Sequence, residues 1–412
     1  MHAPASTSAA EIAEPSSPLP DDGRPGLSAW LAVLSVGIGA FALVTSEFLP
    51  VGLLPQIAAE LRVTEGLAGM LVTVPGIVAA IAALAVTVVV GKADRRHVLW
   101  GLMGVMVISN LLVTFATSFW PILLGRSLLG IGVGGFWSIG VAIGPRLVPL
   151  RYTTRATALI FGGVSIGTVA GVPAGALIGE LFGWRTAFGI AAGIGVLVLA
   201  IQVFLLPPLP PTRATTVRDL PMLLKNPKAR IGLVATLLMF VGQFAAYTYI
   251  TPFLVQVTQM SARTVSALLL AYGAAGFIGN IAGGWLAERS ARAALVTTAL
   301  VLGLATAMLP LFGSSAAAAT AIIMVWGLGF GAMPISLQNW MFRAAPDGME
   351  TGGALFVATA QVALASGAGV GGIAVDHLGV PAAMVVGGTF ALATAAVAWY
   401  FGRERSRLHV VH

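Results

Sequence analysis

Twelve apolar stretches run through this chain, each near the ~20 residues that a helix needs to cross a bilayer. They lie at about 29–54, 66–90, 98–117, 120–144, 155–180, 186–206, 231–256, 264–287, 293–313, 316–341, 352–374 and 381–401, with ends set by pattern alone. No run of short alternating strands accompanies them, as a membrane barrel would require. Only 9% of residues are charged and 58% are hydrophobic, against roughly 25% charged in soluble proteins. A surface so poor in charge must be solvated by lipid, and lipid forces each span to satisfy its own backbone hydrogen bonds. The expected fold is an all-α membrane protein of twelve transmembrane helices.

The second half repeats the first at an offset of about 196 residues. Gly171, Gly175, Glu180 and Gly183 recur as Gly367, Gly371, Asp376 and Gly379. Asp94–Arg95 recurs as Glu288–Arg289, and Arg146 and Pro149 as Arg343 and Pro346. The twelve helices should therefore form two pseudo-symmetric six-helix bundles. The expected organisation is a disordered tail (1–27), a first bundle (28–206), a linker (207–230), a second bundle (231–402) and a short tail (403–412). One position breaks the symmetry: Glu47 lies in an apolar span, and its repeat mate is the neutral Gln243.

Net charge is +7, yet its distribution argues for topology rather than a nucleic-acid surface. With both termini cytoplasmic, the outside loops hold only Arg62, Arg185 and Arg263, and Arg126 lies within a span. The other lysines and arginines fall inside, as the positive-inside rule requires. Residues 1–27 lack the basic and apolar regions of a signal peptide. Cysteine is absent, which excludes disulfides and thiolate chemistry. The five histidines lie in loops and tails without metal-ligand spacing, and no phosphate-cradling Gly-x-x-x-x-Gly-Lys-Ser/Thr sequence occurs. No metal, cofactor or ATP-driven step is expected, and no enzyme.

Several residues carry possible function. Glu47 lies in Ser46-Glu-Phe-Leu-Pro50; burial disfavours its charged form, so it can load and release a proton as access alternates. Arg126 in span 4 is costly in lipid and should face a cavity or partner, unless it snorkels to the surface. Gly91, Asp94 and Arg95 form a loop that could latch neighbouring helices, echoed by Glu288 and Arg289. Gly167, Gly171 and Gly175 share one helical face with Pro173 among them, a face suited to close helix packing. Phe48, Trp137, Gln243, Tyr247, Asn339 and Gln361 could line a neutral, aromatic cavity for a small uncharged solute.

These residues together resemble the major facilitator superfamily, in its proton-coupled drug and metabolite efflux branch. Asp94–Arg95 is similar to that superfamily's loop motif between helices 2 and 3, although Arg96-His97 shortens the usual pattern. Arg126 with Gly130 is similar to the helix 4 motif whose arginine assists proton transfer. Gly167, Gly171, Pro173 and Gly175 resemble the helix 5 motif of exporters, with Val172 where glycine is usual. Thr45–Pro55 is similar to sugar and nucleoside efflux permeases. The segments 134–138, 146–149 and 242–250 resemble purine ribonucleoside efflux permeases more narrowly. The resemblance implies a monomeric, multi-pass transporter of the bacterial inner membrane that exports a small solute such as a purine nucleoside by proton antiport. Multidrug or sugar efflux on the same scaffold is the nearest alternative; proton-coupled import or a non-transporting receptor is more distant.

Overall fold

The computed structural model describes residues 25–90, 93–210, 225–344 and 349–402. Gly91, residues 1–24, 211–224 of the expected linker and residues 403–412 lie outside them. Among the described residues thirteen α-helices follow in order: α1 (Leu27–Leu61), α2 (Glu65–Val89), α3 (Arg95–Phe115), α4 (Phe119–Leu147), α5 (Thr153–Phe182), α6 (Trp184–Leu205), α7 (Pro227–Tyr247), α8 (Ile250–Gln256), α9 (Ala262–Arg289), α10 (Ala291–Phe312), α11 (Ala316–Ala344), α12 (Met349–Leu378) and α13 (Val380–Phe401). They make twelve membrane spans, because α7 and α8 together form one. The expected spans match these helices within four residues at every end but one: α1 runs on to Leu61, past the expected 54. The break in the seventh has a local cause. Pro252 has no N–H to give the Thr248 carbonyl, so the helix stops and restarts with proline in its first turn, where it is tolerated.

The repeat is visible in the packing. Helix α1 packs on α5 as α7 packs on α12; α2 on α4 as α9 on α11; α3 on α6 as α10 on α13. The connections after α5 and α12 are each a single glycine, Gly183 and Gly379, at φ 85° and 86°. An L side chain avoids that region, so both copies need glycine.

Residues 25 and 402 lie at one end of the bundle, here the terminal face; the loops after α1, α3, α5, α8, α10 and α12 lie at the far face. The halves meet through α2 against α12 and α5 against α9. Buried contact between them is concentrated toward the far face. There Phe48, Val51, Leu54 and Ala58 of α1 and Ala68 and Val72 of α2 share one core with Phe244, Tyr249, Leu364 and Val375. Nearer the terminal face, Ala32 to Leu43 of α1 pack only within the first half, against Met103, Phe136, Ile160 and Val198.

The α1–α5 seam is set by glycine every fourth residue. A Cβ at Gly163 would lie 2.0 Å from the Gly37 carbonyl, at Gly167 2.9 Å from that of Phe41, and at Gly171 3.0 Å from Thr45 Cα. At Gly175 and Gly179 it would press on Leu49 and Leu53 at 2.5 and 2.2 Å. Such a small-residue face brings backbones together where lipid supplies no hydrophobic drive. Gly163→Ala should therefore lower thermal stability by about 1–3 kcal/mol through overpacking against backbone that cannot yield. Its neighbour Gly162 has nothing within 4 Å of where a Cβ would stand, and it serves as the control: Gly162→Ala should hold or raise stability, since alanine favours helix. Equal melting shifts in detergent would rule out this seam as the cause.

Candidate functional site: a buried carboxyl and an arginine clamp between the halves

Glu47 and Arg126, far apart in sequence, come together in the interior. Glu47 is 4% exposed and Arg126 0%. The guanidinium does not snorkel, nor is it spent on the carboxylate. Its Nε donates to the Leu71 carbonyl at 2.8 Å, and its two terminal nitrogens donate to the carbonyls of Ser46 and Glu47 at 2.7 Å each. The prolines explain these targets. Pro50 cannot donate to the Ser46 carbonyl four residues earlier, and Pro75 cannot donate to that of Leu71. Arg126 thus satisfies two carbonyls that prolines orphan in two different helices, and ties α4 to α1 and α2 at that level. An orphaned carbonyl in a dry interior is costly. One charged fork with five donors is the side chain that can reach several carbonyls at once.

The Glu47 carboxyl makes no salt bridge among the described residues. Arg126 acts on it through space, and Gln361 of α12 brings its amide beside it. The Gln361 Nε2 is itself buried with no partner in hydrogen-bond geometry. Glu47 of the first half and Gln361 of the second thus meet where the halves join. Asn110 of α3 donates to Ser46 Oγ at 2.8 Å and completes the polar surroundings.

The expected aromatic cavity is only partly assembled. Phe48 stacks on Phe244 at 5.6 Å between centroids. Tyr247 stacks on Tyr272 at 5.4 Å and on Phe330 at 5.9 Å, with Trp326 edge-on at 6.3 Å. Both ends of the Gln243 amide are taken: Nε2 donates to Tyr272 Oη at 3.0 Å, and Oε1 accepts from Trp326 Nε1 at 2.8 Å. Tyr272, Trp326 and Phe330 do not stand out in the sequence, where each reads as one more aromatic in an apolar span. Trp137 lies apart, in the first-half core against Phe161. Asn339 bonds its own helix at the Ile335 carbonyl, 2.9 Å away. A cavity of about 420 Å³ lies elsewhere, between α10 and α11, lined by residues such as Leu300, Leu304, Met308 and Val325. These side chains are exposed and apolar, so it is a groove toward lipid and offers a polar solute nothing to bond.

The loop motif ties the start of α3 to the chain leaving α6. Asp94 caps α3 by accepting from the Arg96 N–H at 2.8 Å and also accepts from the Leu209 N–H at 2.9 Å. Burial opposes ionisation of its carboxyl, but these two N–H donors and the charges of Arg96 and His97 outweigh it and hold the carboxyl below its usual range. Arg95 N donates to the Leu209 carbonyl at 2.9 Å, and Arg146 bonds that of Pro210. In the second half Arg343 donates to the Ala287 and Glu288 carbonyls at 2.8 and 2.9 Å, while Arg289 stacks on Trp285. The glycines of the helix 5 motif face α1, so Glu47 sits on the helix they grip.

Comparison with known proteins fits this architecture. Residues 36–362 match the Major Facilitator Superfamily. The chain is 38% identical over 366 residues, 89% of its length, to the purine ribonucleoside efflux pump NepI of Escherichia coli O6:K15:H31, and covers 92% of that protein. The NepI of Shigella flexneri matches to the same extent. Among solved structures, a bacterial homologue of the human lysosomal transporter Spinster, inward-facing and unoccupied, superposes with a TM-score of 0.77 at 16% identity, over 92% of this chain and 98% of that one. A D-xylose–proton symporter does so at 0.72 and 15%, over 90% and 97%. Twelve spans in two repeated bundles and a match across most of the chain lead to one conclusion: this is a transporter of the Major Facilitator Superfamily.

Proposed function

We propose that the chain is a proton-coupled antiporter that exports a small neutral solute, a purine nucleoside being the leading candidate, across a bacterial inner membrane. The observation that carries this reading is Glu47: the single buried carboxyl among the described residues, without a repeat mate, lying where the halves meet. In lipid such a charge is retained for a role. The names of the 38%-identical relatives support efflux and the purine class. With both termini, and the 1–27, 207–230 and 403–412 segments, on the cytoplasmic side, as the basic residues favour, the structure is the form sealed to the outside. Solute then enters from the cytoplasm between the bundles, and rocking of the halves exposes it to the far side.

In this reading Glu47 carries the proton and Arg126 holds its helix in place. Phe48, Tyr247, Gln243 and Gln361 are the leading solute contacts; Trp137 and Asn339 belong to the cytoplasmic approach. Gln243 must exchange its bonds with Tyr272 and Trp326 for bonds to the solute, which suits a base edge offering both a donor and an acceptor.

The decisive experiment uses everted vesicles energised to an acidic interior and offers radiolabelled purine nucleosides, sugars and a cationic drug. Nucleoside accumulation at least tenfold above the other two, collapsed by a protonophore, is the expected result. Preferential accumulation of sugar or drug would move the assignment to another exporter of the same fold, and accumulation of none would overturn it.

A further inference from the structure

The geometry points to Asp376 as the residue that holds the far face shut, by capping a helix of the opposite bundle. Asp376 lies near the end of α12, and the N-terminus it meets is that of α2. Its Oδ2 accepts from Thr64 Oγ1 at 2.8 Å, and its Oδ1 from the Gly66 N–H at 2.9 Å. Thr64 is itself the α2 N-cap and accepts from Leu67 N–H at 3.0 Å. A carboxylate on the unsatisfied N–H groups of a helix start is favoured by direct bonds and by the helix dipole. Here the cap is borrowed across more than three hundred positions of sequence, so it exists only while the two bundles are together at this face.

Independent contacts mark the same seam as a closure. A Cβ on Gly66 would lie 2.4 Å from both the Asp376 carboxyl and the Gly372 carbonyl. Below it, Tyr249 fills the gap left by the break between α7 and α8. It is 0% exposed and donates to the Ala368 carbonyl at 3.0 Å. Its hydroxyl would be 1.9 Å from a Cβ at Gly69 and 2.5 Å from one at Gly372. Above, Gln256 of α8 donates to Glu65 at 2.5 Å.

The repeat shows that this is no generic consequence of the fold. The mates of Thr64, Gly66 and Asp376 are Ser261, Arg263 and Glu180. Glu180 is exposed as Asp376 is, and Ser261 caps α9 with its own hydroxyl as Thr64 caps α2, accepting from Thr264 N–H at 3.2 Å, but among the described residues Glu180 makes no bond to that helix start. Among the described residues the opposite seam, α5 against α9, has no borrowed cap. Asp376 is a positioning residue: it sets the balance between closed and open far face and touches no solute.

Because the chain has no cysteine, Thr73→Cys, half-buried in this seam, is a unique reporter for an impermeant maleimide added from the far side. In that background Asp376→Ala, which loses two charge-assisted bonds, and Gly66→Ala, which wedges the seam, should each speed labelling about tenfold at temperatures well below melting. Conversely, oxidation of a Thr64→Cys/Asp376→Cys pair should stop export, and reduction should restore it. Unchanged labelling in both single variants, or full export by the cross-linked pair, would overturn the assignment. A purely structural role would lower melting temperature without changing labelling. The labelling arm reads shape alone, so it stands or falls apart from the identity of the exported solute.

Discussion

Glu47→Gln should abolish accumulation of solute against its gradient, at least tenfold, while leaving downhill exchange and solute binding in place. The amide preserves the shape and hydrogen-bonding capacity of the carboxyl but cannot carry a proton at physiological pH. Since Arg126 bonds backbone carbonyls rather than the carboxylate, the substitution leaves all three of its hydrogen bonds intact. The protein should therefore fold normally. Proteoliposomes with and without an imposed pH difference separate the effects: wild type should respond to the gradient and Glu47→Gln should not. A variant that still concentrates solute at the normal rate would place the proton site elsewhere.

Arg126→Leu should be the most damaging single change to stability. It strips donors from the carbonyls of Ser46, Glu47 and Leu71 at once, and leaves unsatisfied the two that prolines orphan, those of Ser46 and Leu71. Each buried, unsatisfied carbonyl costs about 1–3 kcal/mol, so a loss of several kcal/mol is expected, seen as poor expression and a large drop in melting temperature. The informative partner is Arg126→Lys. If the residue acted only as a charge near Glu47, lysine would restore stability and transport alike. As a clamp it should not, because an ammonium cannot span the three carbonyls that the planar fork reaches. Full rescue by lysine would defeat the clamp.

That clamp also marks the limit of what the sequence makes legible. Span number, the repeat, Glu47 and Arg126 are all readable, because charge in an apolar run and periodic apolarity are local signals. The targets of Arg126 are not, since a backbone carbonyl has no letter of its own. A trace exists: Pro50 and Pro75 each orphan a carbonyl four residues upstream, and a buried arginine is what can answer both. The loop motif is expected from sequence to latch neighbouring helices; that Asp94 caps its own helix and holds the Leu209 N–H of the chain leaving α6 has no local signature. The split of the seventh span is foreshadowed by Pro252, but its apolar run continues and masks the break. The bond from Thr64 to Asp376 has no local signature, for its two ends are linked only by the docking of the bundles.

The saturated amide of Gln243 has a thermodynamic consequence. Glu47 and Gln243 occupy the same place in the two copies, yet one is titratable and the other is tied to Tyr272 and Trp326. If Glu47 is the carrier, this pair of positions can ferry one proton per cycle and no more. For an uncharged solute, each unit of pH difference then sustains at most about a tenfold concentration ratio, and the membrane potential adds ~2.3 kcal/mol per 100 mV. On the proposed reading, an acid on one side only of the duplicated fold sets a ceiling on how far solute can be driven uphill.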